Sequence, residues 1–600
     1  MMQKGRRSWV LKGLLGAITL LGAMILVGCQ MAAAKSERAS ADWSRGEKIG
    51  QAALNDRVAL AVAPLGDSVY LAWVSRYEGK GVELLRFARL DGTGRIGIQK
   101  DLPIGVDRPT EVSLLLDGQD HLHLTWTAQL KDRRRLFHAR LDPSGQLASY
   151  PRPLSPESAS VHSYTAALNG DGHIDIVWSA QDGEGQGLYH LRLNTWGDVV
   201  VESHRLREAG FDPALQVDRE GRLHLAWQEE PAFGEHSILY AALDPADSPA
   251  TLEAYRLATF PAPTGVVARR PSVGIAGDQV FVFWSRERRG GGMTPPSAES
   301  YYVVLPLGRP QEAGEPSRVS VPALNHPALD TITSGYNIRE VARPGQAPFP
   351  SQFVYLPATA RPAQGEVAAA FTVELGGRTK NILQIVTTFW ADGDLLGYQI
   401  AGKTRNSSLK PALAVDGRGD LHLAWIDTAG FGSFEVYYAS TAEAVRAHLN
   451  RITATDVVAA FFDLLWAMVQ GISFLPITLA WVFVPLAVIA LYLFIGAEGD
   501  LARRGPRIVL VVAVVLYVGF KYLFRPGWLV ALPLPRRIPA KAADALIYAT
   551  PLIISTVAGV VAWLYAKKRA FANLLATFIL FAGCDALLTL LVYVPGVLRE

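Results

Sequence analysis

Three histidines, His123, His224 and His422, each stand three residues before a tryptophan. Imidazoles bind transition metals, and a metal needs its ligands within about 2.1 Å. These three occupy one position in separate copies of a repeat, so they radiate from an axis and do not converge. They read as packing or strand-pairing residues, and neither a metal site nor a cofactor is expected. Asp117, Asp218 and Asp416 sit in hairpin turns and read as turn formers; a calcium site needs several oxygens close together. Glycoside cleavage needs two carboxylates flanking the scissile bond. The residues that can supply such chemistry cluster late in the repeat: Arg286, Arg288, Arg289, Glu299, Tyr301, Tyr302 and Glu340. The competing reading makes Tyr301-Tyr302 the start of a strand and Arg286–Gly292 a solvated loop. Arg286, Arg288, Glu299, Tyr301 and Tyr302 are carried forward as candidate binding residues, with no catalytic residue assigned.

The elements that position these residues are repeated. Asp416-Gly417-Arg418-Gly419-Asp420-Leu421-His422-Leu423-Ala424-Trp425 has near copies ending at Trp126, Trp178 and Trp227, and looser ones ending at Trp73 and Trp284. Asp and Gly favour the turn. Leu421, Leu423 and Trp425 then alternate with His422 and Ala424, the period of two that marks a strand. A proline (Pro109, Pro213, Pro271, Pro411) is read as opening the strand before the turn. From Trp73 to Trp284 the tryptophans recur at intervals of 49 to 57 residues, the period of a four-stranded propeller blade. Between Trp284 and Trp425 one degenerate copy fits, with Glu366–Phe371 as its second strand. An insertion of roughly 30 residues is left within Arg286–Pro350. Tyr336, Phe349, Phe353 and Tyr355, in or beside it, can line a binding surface. The expectation is an all-β propeller of seven blades, with six or eight as alternatives, over residues 51–450. The last blade is one strand short, and a segment before Arg57 should supply that strand and close the ring.

This repeat resembles the bacterial sialidase-like propeller superfamily, related to the Asp-box proteins, over about residues 45–450. The resemblance implies the fold. A true Asp box reads Ser-x-Asp-x-Gly-x-Thr-Trp, and no copy here has the Ser or the Thr. Activity therefore does not carry over with the fold.

The two ends of the chain point to a membrane. Lys4, Arg6 and Arg7 precede an apolar run from Leu14 to Val27, which ends Leu26-Val27-Gly28-Cys29. This matches the bacterial lipobox, which implies removal of residues 1–28 and acylation of Cys29, with 29–50 as a flexible tether. The only other cysteine is Cys584, so the propeller holds no disulfide. After Arg451 come four apolar stretches, Ile477–Ile495, Ile508–Phe524, Leu546–Tyr565 and Phe571–Val594, read as a helical membrane domain of about four spans (477–597). Residues 455–472, with Asp456, Asp463 and Gln470 seven apart, read as an amphipathic or membrane helix. Counting basic residues outside the spans favours four crossings over five, with the propeller on the extracytoplasmic side. Asp585 lies inside the last span, where an acid is a functional candidate by default; it has no cationic partner visible in the sequence.

The chain has 58 Lys and Arg against 55 Asp and Glu, a net charge of +3. No basic run with interleaved aromatics suggests nucleic acid. The sequence thus describes a bacterial cell-membrane protein whose propeller recognises a glycan or protein ligand, or scaffolds a membrane complex. The alternatives are a sialidase-like glycoside hydrolase, and a sensor domain serving a small membrane bundle. Arginines with a Tyr/Glu pair at one mouth of the propeller would favour the hydrolase. Polar residues converging on Asp585 from several spans would favour the sensor.

Overall fold

In the computed structural model, residues 40–599 are described apart from internal stretches, the longest being 77–82, 181–186, 245–251, 291–295, 322–350, 463–474 and 525–539. The signal segment, Cys29 and Glu340 lie outside the described residues, as do Tyr336, Phe349 and most of 455–472. The chain forms two compact units, one holding residues 34–451 and the other the C-terminal helices.

The first unit is a seven-bladed propeller, each blade an antiparallel sheet of four strands. The first strands of neighbouring blades lie side by side around the central axis. The second strands carry the tryptophans of the repeat. Trp73, Trp126, Trp178, Trp227, Trp284 and Trp425 are all essentially fully buried, and Phe371 takes their place in blade 6. These large side chains fill the wedge between blades, which is why one recurs in every unit. In four blades the turn before the second strand is locked by its first residue, Asp117, Asn169, Asp218 or Asp416. Asp416 Oδ1 accepts the backbone N–H of Arg418 and of Asp420, both at 2.9 Å. Asn169 does the same for Asp171 and His173. The turn's fourth residue has positive φ, hence Gly221 and Gly419.

The ring closes as expected. Glu47–Ala52 pairs antiparallel with Ser433–Ser440 and becomes the fourth strand of blade 7. The degenerate copy is blade 6, with Val367–Gly376 as its second strand. The prolines require a correction: they do not open the first strands but sit inside them. Pro109, Pro213, Pro271 and Pro411 each lie at a register shift. A bulge tolerates a residue with no N–H to give to the ladder.

The second unit contains α1 (Leu475–Phe494), α2 (Arg504–Leu523), α3 (Ala540–Lys568) and α4 (Leu574–Arg599). Three of them, α2 to α4, are long and apolar enough to cross a membrane; the described apolar part of α1, Ala480–Phe494, is shorter.

Candidate ligand-binding site

The bulges decide what faces the axis. In six blades the residue that pairs with the one just before the Trp (or Phe371) is Ala59, Ser113, Ala214, Ser272, Ala358 or Ala412. Two residues upstream stand Arg57, Glu111, Asp212, Arg270, Leu356 and Lys410. Glu111, Asp212, Leu356 and Lys410 have φ between 51° and 57°, a left-handed turn of the backbone within the bulge. The freed N–H groups are pinned by the preceding blade. Glu111 N–H donates to Asp56 Oδ2 at 2.8 Å, Asp212 N–H to Ser163 Oγ at 3.0 Å, and Leu356 N–H to Ser285 Oγ at 3.1 Å.

Five of these six residues are charged, and they meet at the mouth of the channel where the first strands begin. Arg270 of blade 5 donates to Glu111 of blade 2 at 2.9 Å, across the axis. Arg269, next to Arg270, is ion-paired with Glu287. Tyr164 of blade 3 buttresses the backbone, its hydroxyl 2.5 Å from Glu111 O and 2.7 Å from Thr125 O. Gln228 donates to Asp212 Oδ2 at 3.3 Å. Arg57 and Lys410, in adjacent blades, have no side-chain hydrogen bond or ion pair among the described residues.

The electrostatics follow from this geometry. Burial pushes Asp56 up to about 6, against two backbone donors that favour its charged form. Burial would also raise Glu111, but Arg270 and Arg57 outweigh it and hold this carboxyl below its usual range. Burial lowers Lys410 to about 8. Burial and then repulsion from Arg270 lower Arg57 to about 10. The mouth therefore holds two cations that its own acids leave under-compensated.

The candidates taken from the sequence lie elsewhere. Arg286–Arg288 is not a loop, because it continues the second strand of blade 5 (Gln279–Arg288), with Arg286 opposite Glu299. Tyr301 and Tyr302 fall in the middle of the third strand, Ser297–Pro306. Arg286, Glu299 and Tyr301 do come together: Arg286 is 3.5 Å from Glu299 and stacks at 5.1 Å over Tyr301, whose hydroxyl donates to Glu299 at 2.8 Å. Arg318 adds a second ion pair to Glu299 at 3.3 Å. Tyr302 points to the opposite face and packs on Trp390 at 4.5 Å. Arg288 is exposed at the strand end. This cluster joins the outer strands of blade 5 and does not face the axis. Of the aromatics near the insertion, Tyr355 lies in the first strand of blade 6, next to Leu356 of the mouth. The residue just before Pro213, Pro271 and Pro411 is Asp, Arg and Lys in turn, and that was the available signal for the mouth.

The histidines are buried in their blades. His224 bridges Asp218, at 3.1 Å, and the Tyr240 hydroxyl, at 2.6 Å. His422 bonds Tyr438 at 2.8 Å, and His123 lies 3.2 Å from His138 and 3.4 Å from Asp117. Where blade 3 has Asp175, His190 and Arg192 bind it at 2.7 and 2.8 Å. The His123, His224 and His422 groups tie a turn to the third strand, and the Asp175 group ties the second strand to the third. Among the described residues no three His, Cys, Asp or Glu side chains gather as a metal requires.

No family model matches the chain, and no curated protein matches it. Among solved structures it is similar to a protein of unknown function from Dyadobacter fermentans, at 10% identity over 66% of this chain and 98% of that one, with a TM-score of 0.36. It is similar to the polysaccharide lyase Uly1 at 10% identity over 65% and 91%, with a TM-score of 0.39. An alpha-L-arabinofuranosidase from Lactobacillus brevis matches at 12% identity over 41% and 90%, with a TM-score of 0.28. None of these three is described as a sialidase. At such scores the likenesses carry no argument about what this chain does.

Proposed function

We propose that the protein is a membrane-anchored propeller that recognises an acidic saccharide at the mouth where the first strands begin. One observation carries this reading: Arg57 and Lys410 sit half-buried in adjacent blades with no side-chain hydrogen bond or ion pair among the described residues, the acids near them offset their burial only in part, and Glu111 and Arg270 are already engaged across the axis. A carboxylate or sulfate on the ligand would supply the missing counter-charge, and the surrounding Glu111, Asp212 and Gln228 offer acceptors and a donor for hydroxyl groups. A second reading, glycoside cleavage, is favoured by Glu111 and Asp212, two carboxylates at one register position in blades 2 and 4. Placement outside the cell, acylation of Cys29 and a four-span membrane domain belong to the same proposal.

The full-length protein in nanodiscs, applied to an array of acidic and neutral glycans, tests it. Retention of acidic glycans, weakened in Arg57→Gln and Lys410→Met, is the expected result. Binding that ignores ligand charge would overturn the acidic-saccharide reading. Shortened glycans in the eluate would convert the receptor into a hydrolase. An unmodified Cys29 in the N-terminal peptide mass spectrum would remove the lipid anchor.

A further inference from the structure

The helices that can cross a membrane hold a charged centre. Lys521 of α2 donates to Asp585 Oδ2 of α4 at 2.7 Å and to Thr589 Oγ1 at 2.9 Å. Its ammonium also lies 5.6 Å from the ring centre of Trp481 in α1. Tyr517, one turn before Lys521, donates to Asp585 Oδ2 at 2.9 Å, and Ser555 of α3 donates to Oδ1 at 2.6 Å. Lys521 lies near the end of α2, and side chains lean toward their helix's N-terminus; that brings the ammonium back to the level of Tyr517. Lys521, Asp585, Tyr517, Thr589 and Trp481 are at most 1% exposed, and Ser555 is 6% exposed.

Two charges in an apolar bundle cost free energy that a plain anchor has no reason to spend. Here four helices contribute to one ion pair, and both charges are fully supplied with partners. Ser555 is also the link to the outside. It lines a groove of about 390 Å³ between α2 and α3, with Val514, Val518, Leu552, Gly559 and Trp563. If either charge loses its partner, the survivor must be hydrated or neutralised, and the groove lined by Ser555 lies beside it.

We propose that the Lys521–Asp585 pair is an ionic latch. Paired, it holds α3 to α2 and α4 through Ser555. With one charge removed, water enters along the groove and α3 loosens. This makes the bundle a two-state element rather than an inert anchor, independently of what the propeller binds.

Hydrogen–deuterium exchange on the full-length protein in nanodiscs tests the latch. Lys521→Met and Asp585→Asn should each raise amide exchange at least tenfold in the groove-lining turns of α2 and α3. The neutral pair Lys521→Met/Asp585→Leu should return to wild-type rates. Single variants that exchange like wild type, or a double variant as fast as the singles, would overturn the proposal. If the singles fail to fold, the double decides: folded and protected supports the latch, unfolded rejects it. Ser555→Ala leaves the ion pair whole, so faster exchange should be confined to α3. Unchanged exchange there would remove Ser555 as its arm.

Discussion

The propeller mouth and the helical bundle each gather charge in a confined space, and they treat it in opposite ways. In the bundle, Asp585 takes hydrogen bonds from Lys521, Tyr517 and Ser555, and Lys521 divides its donors between Asp585 and Thr589. At the mouth, Glu111 and Arg270 pair across the axis, but burial depresses Lys410 and Arg57, and the nearby Asp56 and Glu111 offset it only in part. A saturated charge cluster specifies one packing, whereas an unsaturated one stores a demand that a ligand can meet. The difference separates a part that holds the molecule together from a part that recognises something else.

The same substitution in the two regions should have opposite consequences. Lys521→Met strands a buried carboxylate, which costs about 3–5 kcal/mol. Lys410→Met removes a poorly compensated cation, and stability should stay level or rise by at most about 1 kcal/mol. Denaturant unfolding in detergent, with probes in each unit, reads both. Equal losses at the two sites would erase the distinction between lock and site. Ligand affinity should reverse the ranking, since it depends on Lys410 and not on Lys521.

Within the mouth, Arg270→Ala should reduce retention of acidic glycans by roughly 10- to 100-fold, the equivalent of a charge-assisted hydrogen bond of about 1.5–3 kcal/mol. The loss has two sources, the missing guanidinium and a Glu111 carboxylate left without its partner. Titration of the variant against one acidic oligosaccharide measures it; unchanged affinity would move the ligand away from the axis.

pH separates the mouth's groups without mutation. The Asp56 carboxyl, raised to about 6 in the folded protein, keeps a proton that the unfolded chain gives up nearer 4. Its contribution to stability is whole below pH 4 and lost as pH rises through 6, on the order of 1–3 kcal/mol. Asp56→Asn should flatten this slope while keeping an oxygen for the backbone N–H of Glu111. Lys410 is lowered to about 8, so its charge burdens the fold below pH 8. Stability should rise as pH climbs from 8 toward 10.5, and affinity for an acidic ligand should fall as pH rises through 8. Lys410→Arg should hold affinity through that range.

Most of the architecture was legible from one dimension of the chain, because a propeller repeats its largest side chain and its turn. Trp425, Asp416 and Gly419 recur at a fixed spacing, and the missing strand of blade 7 could be counted before it was located at Glu47–Ala52. The mouth was not legible in that way. Its residues come one per blade, so Glu111 and Arg270 are neighbours in space although they stand 159 positions apart in the chain. They reach the axis through a bulge whose left-handed residue precedes a proline in blades 4, 6 and 7; of these prolines, Pro213 and Pro411 mark only a strand start in the sequence. Lys521 was hidden for another reason: a long aliphatic stem lets a lysine sit in an apolar run, and its partner lies 64 residues away.

The outer strands of blade 5 provide the finest test of where recognition resides. They drew attention in the sequence because arginines, a glutamate and two tyrosines crowd together, as they would in a site. The structure spends them on each other: Glu299 accepts from Tyr301 and is paired with both Arg286 and Arg318. Arg288 is the member of the candidate set that stays exposed. Arg288→Ala should change stability by no more than about 0.5 kcal/mol, and binding of acidic glycans by less than twofold. A tenfold loss in Arg288→Ala, with Arg270→Ala binding normally, would place the ligand on the rim of blade 5 and leave the charges at the axis as a fastening between blades 2 and 5.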